Sequence, residues 1–288
     1  MINFAHIAPV SCLHRIKRHK VHLLLAHLVE ENAEYRNFYR ELKEEDPTVF
    51  YHLDNSAFEM FKRGVDMYPT DKLLDMAAKV KADSIVMSDY PKQHSSVTID
   101  AAKNLIPLFK RAGYKTFFCP QSELGNIDDL IGAFEWAINN KDIDYIGVSI
   151  LACPIALGVN EQSFGDSVRD ESYRMQRYLS RWRVFEILNE RGLLGEKTKN
   201  RLHCLGMTDG PREIDLLRPY HDHIFSWDSS TAIWHGYHKI QYDQSPTGLR
   251  NGKYEEEVNF DIAAPDTMEA INSIIYNMDS INQMCGVK

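Results

Sequence analysis

The feature that most constrains the fold is a regular alternation of two kinds of segment. Eight short runs rich in β-branched and aromatic residues recur along the chain, and longer stretches with helical spacing separate most of them. This alternation is typical of a mainly parallel sheet wrapped by helices. The predicted strands cover residues 2–8, 21–28, 49–54, 84–89, 116–121, 145–151, 202–207 and 223–228, and the predicted helices cover 30–45, 71–81, 97–112, 127–140, 170–191, 212–220 and 267–284.

Eight strands in a chain of 288 residues favour an α/β fold, a (β/α)8 TIM-like barrel. An open Rossmann sheet would place a glycine-rich loop after its first strand, but the sequence contains neither GxGxxG nor a GxxxxGK motif followed by Ser or Thr. We find no internal repeat and no linker. We therefore expect residues 1–288 to form a single domain with a C-terminal helix at about 267–284.

The composition excludes several classes of function. The net charge of −8 argues against a surface coated with phosphate-binding residues, so any nucleic-acid contact must be local. No stretch reaches the roughly 20 apolar residues of a membrane span, and we expect a cytoplasmic protein without membrane contact. The five cysteines are scattered with no CxxC pair, which predicts reduced thiols rather than a zinc knuckle.

Acidic residues end three of the predicted strands. Asp54 ends the third, Asp89 the fourth and Asp228 the eighth, while Gln121 ends the fifth. The C-terminal ends of barrel strands meet at one rim, so we expect these side chains to converge there. Carboxylates facing each other across a barrel mouth support either nucleophilic and acid/base chemistry at an anomeric carbon or ligation of a metal. A single aspartate of this kind can also be only a helix cap.

Two basic segments are candidates for local phosphate contacts. One is the run at 14–20, with Arg15, Lys17 and Arg18, and the other is a series of arginines from 169 to 183, with Arg177 and Arg181. They follow the first and sixth predicted strands, so we expect one or both to border the C-terminal rim. The alternative is that each is a solvated face without a partner.

Four short blocks at the strand ends carry a family resemblance. They are LDNSAFE at 53–59, VMSD at 86–89, CPQS at 119–122 with a helix start at 126–129, and LGM at 205–207 followed by FSWDSS at 225–230. In this order they resemble the DSGGFQ segment, the next strand with its base-pairing acid, the VQG strand, and the LxG and nucleophile strands of the tRNA-guanine transglycosylase family. That family has phage and bacterial relatives that install 7-deazaguanines in DNA. The blocks span residues 53 to about 231, more than half of the chain.

The chain departs from the family pattern at three points. Ser149, Ile150, Leu151 and Ala152 stand where the family has Gly-Gly-Leu-Ala. The family's CxCxxC and His zinc site is absent, because Cys285 carries the only thiol after Cys204. The basic region that docks tRNA is also missing, in keeping with the negative charge. These departures favour DNA over tRNA as the acceptor, and we expect no metal and no other cofactor.

The resemblance implies a base exchange by double displacement. Asp228 would attack C1′ of a target guanosine, and Asp54 would protonate the departing guanine and then deprotonate an incoming free 7-deazaguanine base. Asp89 would accept from the N1–H and N2–H edge of the base, and Gln121 would contact its O6. Further substrate contacts are expected from Ser149, Leu151, Tyr90 and Phe58, of which either aromatic ring could stack on an extruded base or simply belong to the core. A phage-encoded enzyme of this kind would work in the host cytoplasm.

Two other functions stay open at this point. In a metal-dependent hydrolase, Asp54, Asp89, Asp228 and one strand histidine would hold a divalent ion, although no HxH or HExxH spacing places two of the histidines at 6, 22, 27, 52 and 203 on one face. A non-catalytic barrel would bind a nucleobase or a partner protein. A homo-oligomer and an accessory DNA-handling protein are both compatible with the sequence.

Overall fold

The computed structural model describes residues 1–159, 171–207, 209–252, 254 and 256–286, with Phe58 described by its backbone alone. In these ranges the eight predicted strands are present and belong to one sheet. They are β1 (Asn3–His6), β2 (Val21–Leu25), β3 (Phe50–Asp54), β4 (Ser84–Val86), β5 (Lys115–Phe118), β6 (Tyr145–Ser149), β7 (Leu202–Leu205) and β8 (Ile224–Ser229).

The strands form a nearly closed parallel barrel. Their order is β1-β8-β7-β6-β5-β4-β3-β2, and every hydrogen-bonded pair is parallel. β1 and β2, at the two ends of this order, lie beside each other. The (β/α)8 TIM-like architecture predicted from the alternation is therefore confirmed.

Helices alternate with these strands as the apolar spacing predicted. They are α1 (Ala26–Glu31), α2 (Ala33–Glu45), α3 (Ala57–Arg63), α4 (Thr70–Val80), α5 (Ser95–Arg111), α6 (Ile127–Asn139), α7 (Ala152–Ala156), α8 (Glu171–Glu190), α9 (Glu213–Leu216), α10 (Thr231–Tyr237) and α11 (Met268–Met284). Short 3-10 helices also cover Val10–Arg15 and Arg218–His223. Among the described residues, no helix is both long and apolar enough to span a membrane.

Some element boundaries differ from the prediction for local reasons. The second predicted strand ends at Leu25, because α1 begins directly after it. Asn32 separates α1 from α2, and its side chain accepts a hydrogen bond from the backbone N–H of Tyr35 at 2.9 Å. The short helices α3, α7 and α10 were not predicted, because five to seven residues are too few to show a helical period.

Aromatic rings fill the part of the barrel below its C-terminal rim. Phe50, Phe117, Tyr145 and Phe225 surround the imidazole of His52 at centroid distances of 5.0, 5.1, 4.8 and 5.9 Å. Such a packed interior leaves open space only towards the strand ends. All five cysteines are free and buried.

Candidate active site at the C-terminal rim

One cavity at the C-terminal rim brings together the acidic strand ends that the sequence singled out. Asp54, Asp89 and Asp228 all line it, as do Gln121, Ser149 and Leu151. Its volume is about 290 Å³, near the lower end of the range for small-molecule sites. We call it the rim cavity. Apolar side chains form much of its wall and would exclude water from a bound molecule: Ile7, Leu25, Val86, Ile150, Leu205 and Met207.

Asp228 lies on β8 and is oriented by two N–H donors. Nε2 of His203 lies 2.9 Å from Oδ1 of Asp228, and the backbone N–H of Gly206 donates to the same oxygen at 3.2 Å. Nδ1 of His203 lies 2.6 Å from the hydroxyl of Ser226. When that hydroxyl donates to Nδ1, the imidazole carries its hydrogen on Nε2 and donates to the carboxylate. Both described bonds use Oδ1, so Oδ2 is the oxygen available to a molecule in the cavity.

The backbone conformation at position 206 requires glycine. Its φ is +73°, and a Cβ at this position would lie 2.8 Å from Cγ2 of Ile150. A larger residue would be strained in this left-handed region and would push against Ile150. Glycine therefore allows the N–H of residue 206 to reach Asp228.

Asp54 ends β3 in an environment that favours its neutral form. Removal from bulk water raises the pKa of Asp54 well above its ordinary value, and the nearby carboxylates of Glu59, Asp89 and Asp228 raise it further. The N–H of Ser56 donates to Oδ2 of Asp54 at 3.0 Å and offsets only part of this effect. The direction of this shift suits Asp54 to hold a proton and to donate it.

The turn after Asp54 is held in an unusual conformation. Ser56 has a φ of +55°, in the left-handed region that favours glycine. Its hydroxyl accepts from the backbone N–H of His27 at 3.2 Å and lies 3.0 Å from Nδ1 of the same residue. These contacts between α1 and the turn support the strained backbone of Ser56 and hold the nearby Asp54 in position.

Asp89 is held by two amide side chains. Nδ2 of Asn55 donates to its Oδ1 at 2.9 Å, and Nε2 of Gln121 donates to its Oδ2 at 2.5 Å. Nδ2 of Asn55 also donates to the carbonyl of Met87 at 2.7 Å. Burial raises the pKa of Asp89, while the bonds from Asn55 and Gln121 oppose the shift. The carboxylate therefore faces the cavity in a fixed orientation.

Three residues of this site were not identified from the sequence. Asn55 fixes Asp89, His203 fixes Asp228, and Glu59 lines the cavity from α3 and raises the pKa of Asp54. The position of Asn55 directly after a strand-end aspartate was an available signal. His203 carried no such signal, because its partner lies 25 residues away.

The remaining predicted substrate contacts take different positions. Leu151 lines the cavity and is 40% exposed. Ser149 also lines it, but its hydroxyl accepts from the N–H groups of Leu151 and Ala152 at 3.1 and 3.3 Å, at the start of α7. Tyr90 is half-buried and is not among the cavity's lining residues in the described part of the chain. The side chain of Phe58 lies outside the described residues.

The basic segment at 14–20 lies at the wrong end of the barrel for the predicted role. Arg15 and Arg18 line a pocket together with Asn3 and Val21, which are the first residues of β1 and β2. Lys17 forms an ion pair with Glu45 at 2.5 Å. The prediction that Arg15, Lys17 and Arg18 border the C-terminal rim was wrong. The chain must return to the N-terminal rim before it starts the next parallel strand, and residues 14–20 directly precede β2.

Arg181 is a buried structural residue rather than a nucleic-acid contact. It is 0% exposed, and its Nε and Nη2 donate to the two carboxylate oxygens of Glu213 at 2.7 and 2.8 Å. The same guanidinium donates to the carbonyls of Leu205 and Gly206 at 3.1 and 2.7 Å. The prediction for Arg181 was therefore wrong, because burial prevents contact with a phosphate. Its bonds instead support the turn whose N–H reaches Asp228.

Arg177 also forms an ion pair, with Asp209. Its Nε and Nη2 donate to the two oxygens of Asp209 at 2.8 and 2.7 Å, and its side chain is 14% exposed. A phosphate would have to displace this bidentate pair, so the structure gives no support to Arg177 as a nucleic-acid contact. Arg169, in the same predicted series, lies outside the described residues.

Within the described ranges, no three side chains of the His, Cys, Asp and Glu types are grouped so that they could hold a metal ion. Comparison of the chain with protein-family models finds no match, and comparison with curated proteins finds none either.

Proposed function

We propose that this protein exchanges guanine in a nucleic acid, with DNA favoured over tRNA, for a free 7-deazaguanine base through a covalent bond between Asp228 and the sugar. The observation that carries the proposal is that two carboxyl groups share one cavity in different environments. His203 and the N–H of Gly206 hold Oδ1 of Asp228 and leave its Oδ2 available, while burial and neighbouring carboxylates favour the protonated form of Asp54. In retaining glycosidases, one carboxyl group of such a pair is the nucleophile and the other is the general acid and base.

In the first step Oδ2 of Asp228 would attack C1′ of the guanosine and form an ester-like C–O bond. The bond from C1′ to N9 breaks, its electron pair goes to the base, and Asp54 supplies the proton that neutralises the departing guanine. In the second step N9 of the incoming base attacks C1′ and Asp228 leaves. The N9 proton passes to the carboxylate of Asp54, which restores the enzyme. Two inversions retain the configuration of the nucleoside.

The residues around Asp89 offer a matching surface for the base. Its carboxylate would accept from N1–H and the exocyclic amine of guanine, a pair of donors that 7-deazaguanine keeps. Gln121 donates from its amide nitrogen to Asp89, and the same nitrogen lies 3.6 Å from Sγ of Cys119, a weak acceptor that O6 of the base would replace. The resemblance to the DSGGFQ segment also supports the proposal. That motif has glycine at the position of Ser56, and the φ of Ser56 is +55°, a backbone conformation that favours glycine.

The acceptor strand would approach over α3 rather than over the predicted basic segments. Phe61 on α3 is 54% exposed, and Nζ of Lys92 lies 5.9 Å from the centre of its ring. Lys62 and Arg63 line a second cavity of about 360 Å³ that shares Glu59 with the rim cavity. They pair with Glu257 and Glu31, and a phosphate would compete for them. An exposed ring flanked by cations is the arrangement that binds single-stranded nucleic acid.

The test is transfer into DNA with the full chain. Single-stranded DNA containing guanine is incubated with free 7-deazaguanine, and the nucleosides are then measured by mass spectrometry. We expect the wild-type protein to incorporate the base and to form a denaturation-stable protein–DNA adduct, and we expect Asp228→Asn to do neither. Asp215→Asn is the matched control, because Asp215 is an exposed residue paired with Arg218. Incorporation by Asp228→Asn at the wild-type rate would exclude the proposed nucleophile.

A further inference from the structure

The basic segment at 14–20 lines a second pocket at the N-terminal rim, which we call the basal pocket. It has a volume of about 600 Å³ and lies between the starts of β1 and β2 and one face of α11. That face carries Met278, Asp279 and Asn282. Because the pocket is at the opposite end of the barrel from the rim cavity, the proposed base exchange does not use it.

Two arginines of the basal pocket have no charged partner among the described residues. Among the described residues, His14, Arg15 and Arg18 line the pocket and form no ion pair or side-chain hydrogen bond. The two lysines of the same segment are already neutralised: Lys20, which also lines the pocket, pairs with Asp46 at 2.6 Å, and Lys17 pairs with Glu45 at 2.5 Å. The pocket therefore concentrates uncompensated positive charge in a protein whose net charge is −8.

Arg15 gives an independent indication of a ligand. Its Nε is buried and has no hydrogen-bond partner in the described structure. A buried donor without an acceptor is costly, and such groups in folded proteins usually bind water or an ion. An anion in the basal pocket would supply the missing acceptor.

We propose that the basal pocket binds a small phosphorylated molecule through one or two phosphoryl groups held by Arg15 and Arg18. The planar guanidinium group matches phosphate oxygens in a bidentate geometry. Asp279 is the one carboxylate among the residues that line the described pocket, so positive charge prevails there. A polynucleotide would need cations along an extended track, whereas Lys20 in the pocket wall and Lys17 beside the pocket are engaged by carboxylates.

The experiment is calorimetric titration of the full chain with pyrophosphate and with inorganic phosphate. We expect Arg15→Gln and Arg18→Gln each to lower the affinity for pyrophosphate about tenfold, the effect of losing one charge-assisted contact. Lys17→Gln is the matched control, because it removes one charge from the same segment outside the pocket, and it should change the affinity less than twofold. Asp279→Asn should increase the affinity, since it removes the opposing charge.

Arg18 is exposed, so Arg18→Gln tests the pocket even if Arg15→Gln disturbs folding. Two results would overturn the proposal: no binding of pyrophosphate by the wild-type protein at millimolar concentration, or equal losses in Lys17→Gln and Arg18→Gln. Asp228→Asn should bind pyrophosphate like the wild type, and a changed affinity there would place the anion in the rim cavity instead. An oligothymidylate that binds more tightly than pyrophosphate and loses affinity in Arg18→Gln would identify a polynucleotide site and contradict a compact ligand.

Discussion

Nε2 of His203 on β7 lies 2.9 Å from Oδ1 of Asp228 on the neighbouring strand β8. His203 is 0% exposed and is not among the residues that line the described rim cavity, whereas Asp228 is. The imidazole can therefore act on a substrate only through the carboxylate that it orients. It is a positioning residue, and its effect should appear in the chemical step more than in binding.

Replacing His203 should test this role directly. We expect His203→Leu to lower kcat for base exchange about 10- to 100-fold with little change in KM, the effect of losing one hydrogen bond to a charged group. His203→Gln, which keeps a donor, should recover part of the loss. Steady-state exchange kinetics provide the measurement. His22→Gln is the control, because His22 is buried outside the site. Equal kcat values for the Leu and Gln variants would show that His203 contributes packing alone and does not position Asp228.

Asp54 should make both activity and stability depend on pH. Because its folded-state pKa is raised, its contribution to stability is fully present below its unfolded pKa and is lost as pH rises through the folded value. Asp54→Asn removes the ionisable group, so it should be more stable than the wild type at neutral and alkaline pH and nearly equal to it at about pH 3. Thermal unfolding across this range measures the difference.

The same substitution should remove the general acid. We expect exchange by Asp54→Asn to fall about 10²- to 10⁴-fold while the fold persists. A variant that is less stable than the wild type at neutral pH would show that the Asp54 carboxyl is not destabilised by its surroundings.

Gly206 should tolerate no side chain. With a φ of +73° and Ile150 only 2.8 Å from a Cβ, Gly206→Ala should reduce the free energy of unfolding by about 1–3 kcal/mol. It should also lower exchange, because the N–H that reaches Asp228 shifts. Chemical denaturation and exchange assays measure the two effects. Gly132→Ala is the matched control: Gly132 lies within α6 with open space around it, so this change should stabilise the protein by about 0.5–1 kcal/mol.

Arg181 should matter for folding and not for nucleic-acid affinity. Arg181→Gln leaves the buried carboxylate of Glu213 without its partner, and we expect a loss of about 3–5 kcal/mol in unfolding free energy. Arg183→Gln on the same helix is the control, because the Arg183 side chain is 46% exposed and its surface ion pair contributes at most about 1 kcal/mol. Urea denaturation compares the two. A similar small effect for both variants would contradict the structural role of Arg181.

Phe61 should contribute to binding of the acceptor strand. We expect Phe61→Ala to weaken single-stranded DNA binding by about 1–3 kcal/mol and to leave binding of the free base unchanged. Tyr276→Ala is the control, because Tyr276 is an aromatic residue of similar exposure on α11. Fluorescence anisotropy of a labelled oligonucleotide gives the affinities. Equal affinities for Phe61→Ala and the wild type would move the acceptor surface away from α3.

The sequence by itself determined the barrel and the approximate positions of its strands along the chain. Apolar spacing is a local property, so the eight strands and the longer helices could be predicted from short windows. Convergence of Asp54, Asp89 and Asp228 also followed, because the C-terminal ends of parallel strands must meet at one rim. Short helices such as α3 carry too few residues for this signal.

Only the tertiary structure decided the state and the partners of individual side chains. Arg15 and Arg181 have the same charge and both follow strands. Arg15 lines a pocket at the N-terminal rim, whereas Arg181 is buried and paired with Glu213. The raised pKa of Asp54 likewise depends on carboxylates that other elements bring near it. Burial, loop direction and contacts between residues far apart in the chain arise from the packing of the whole barrel, and no local pattern records them.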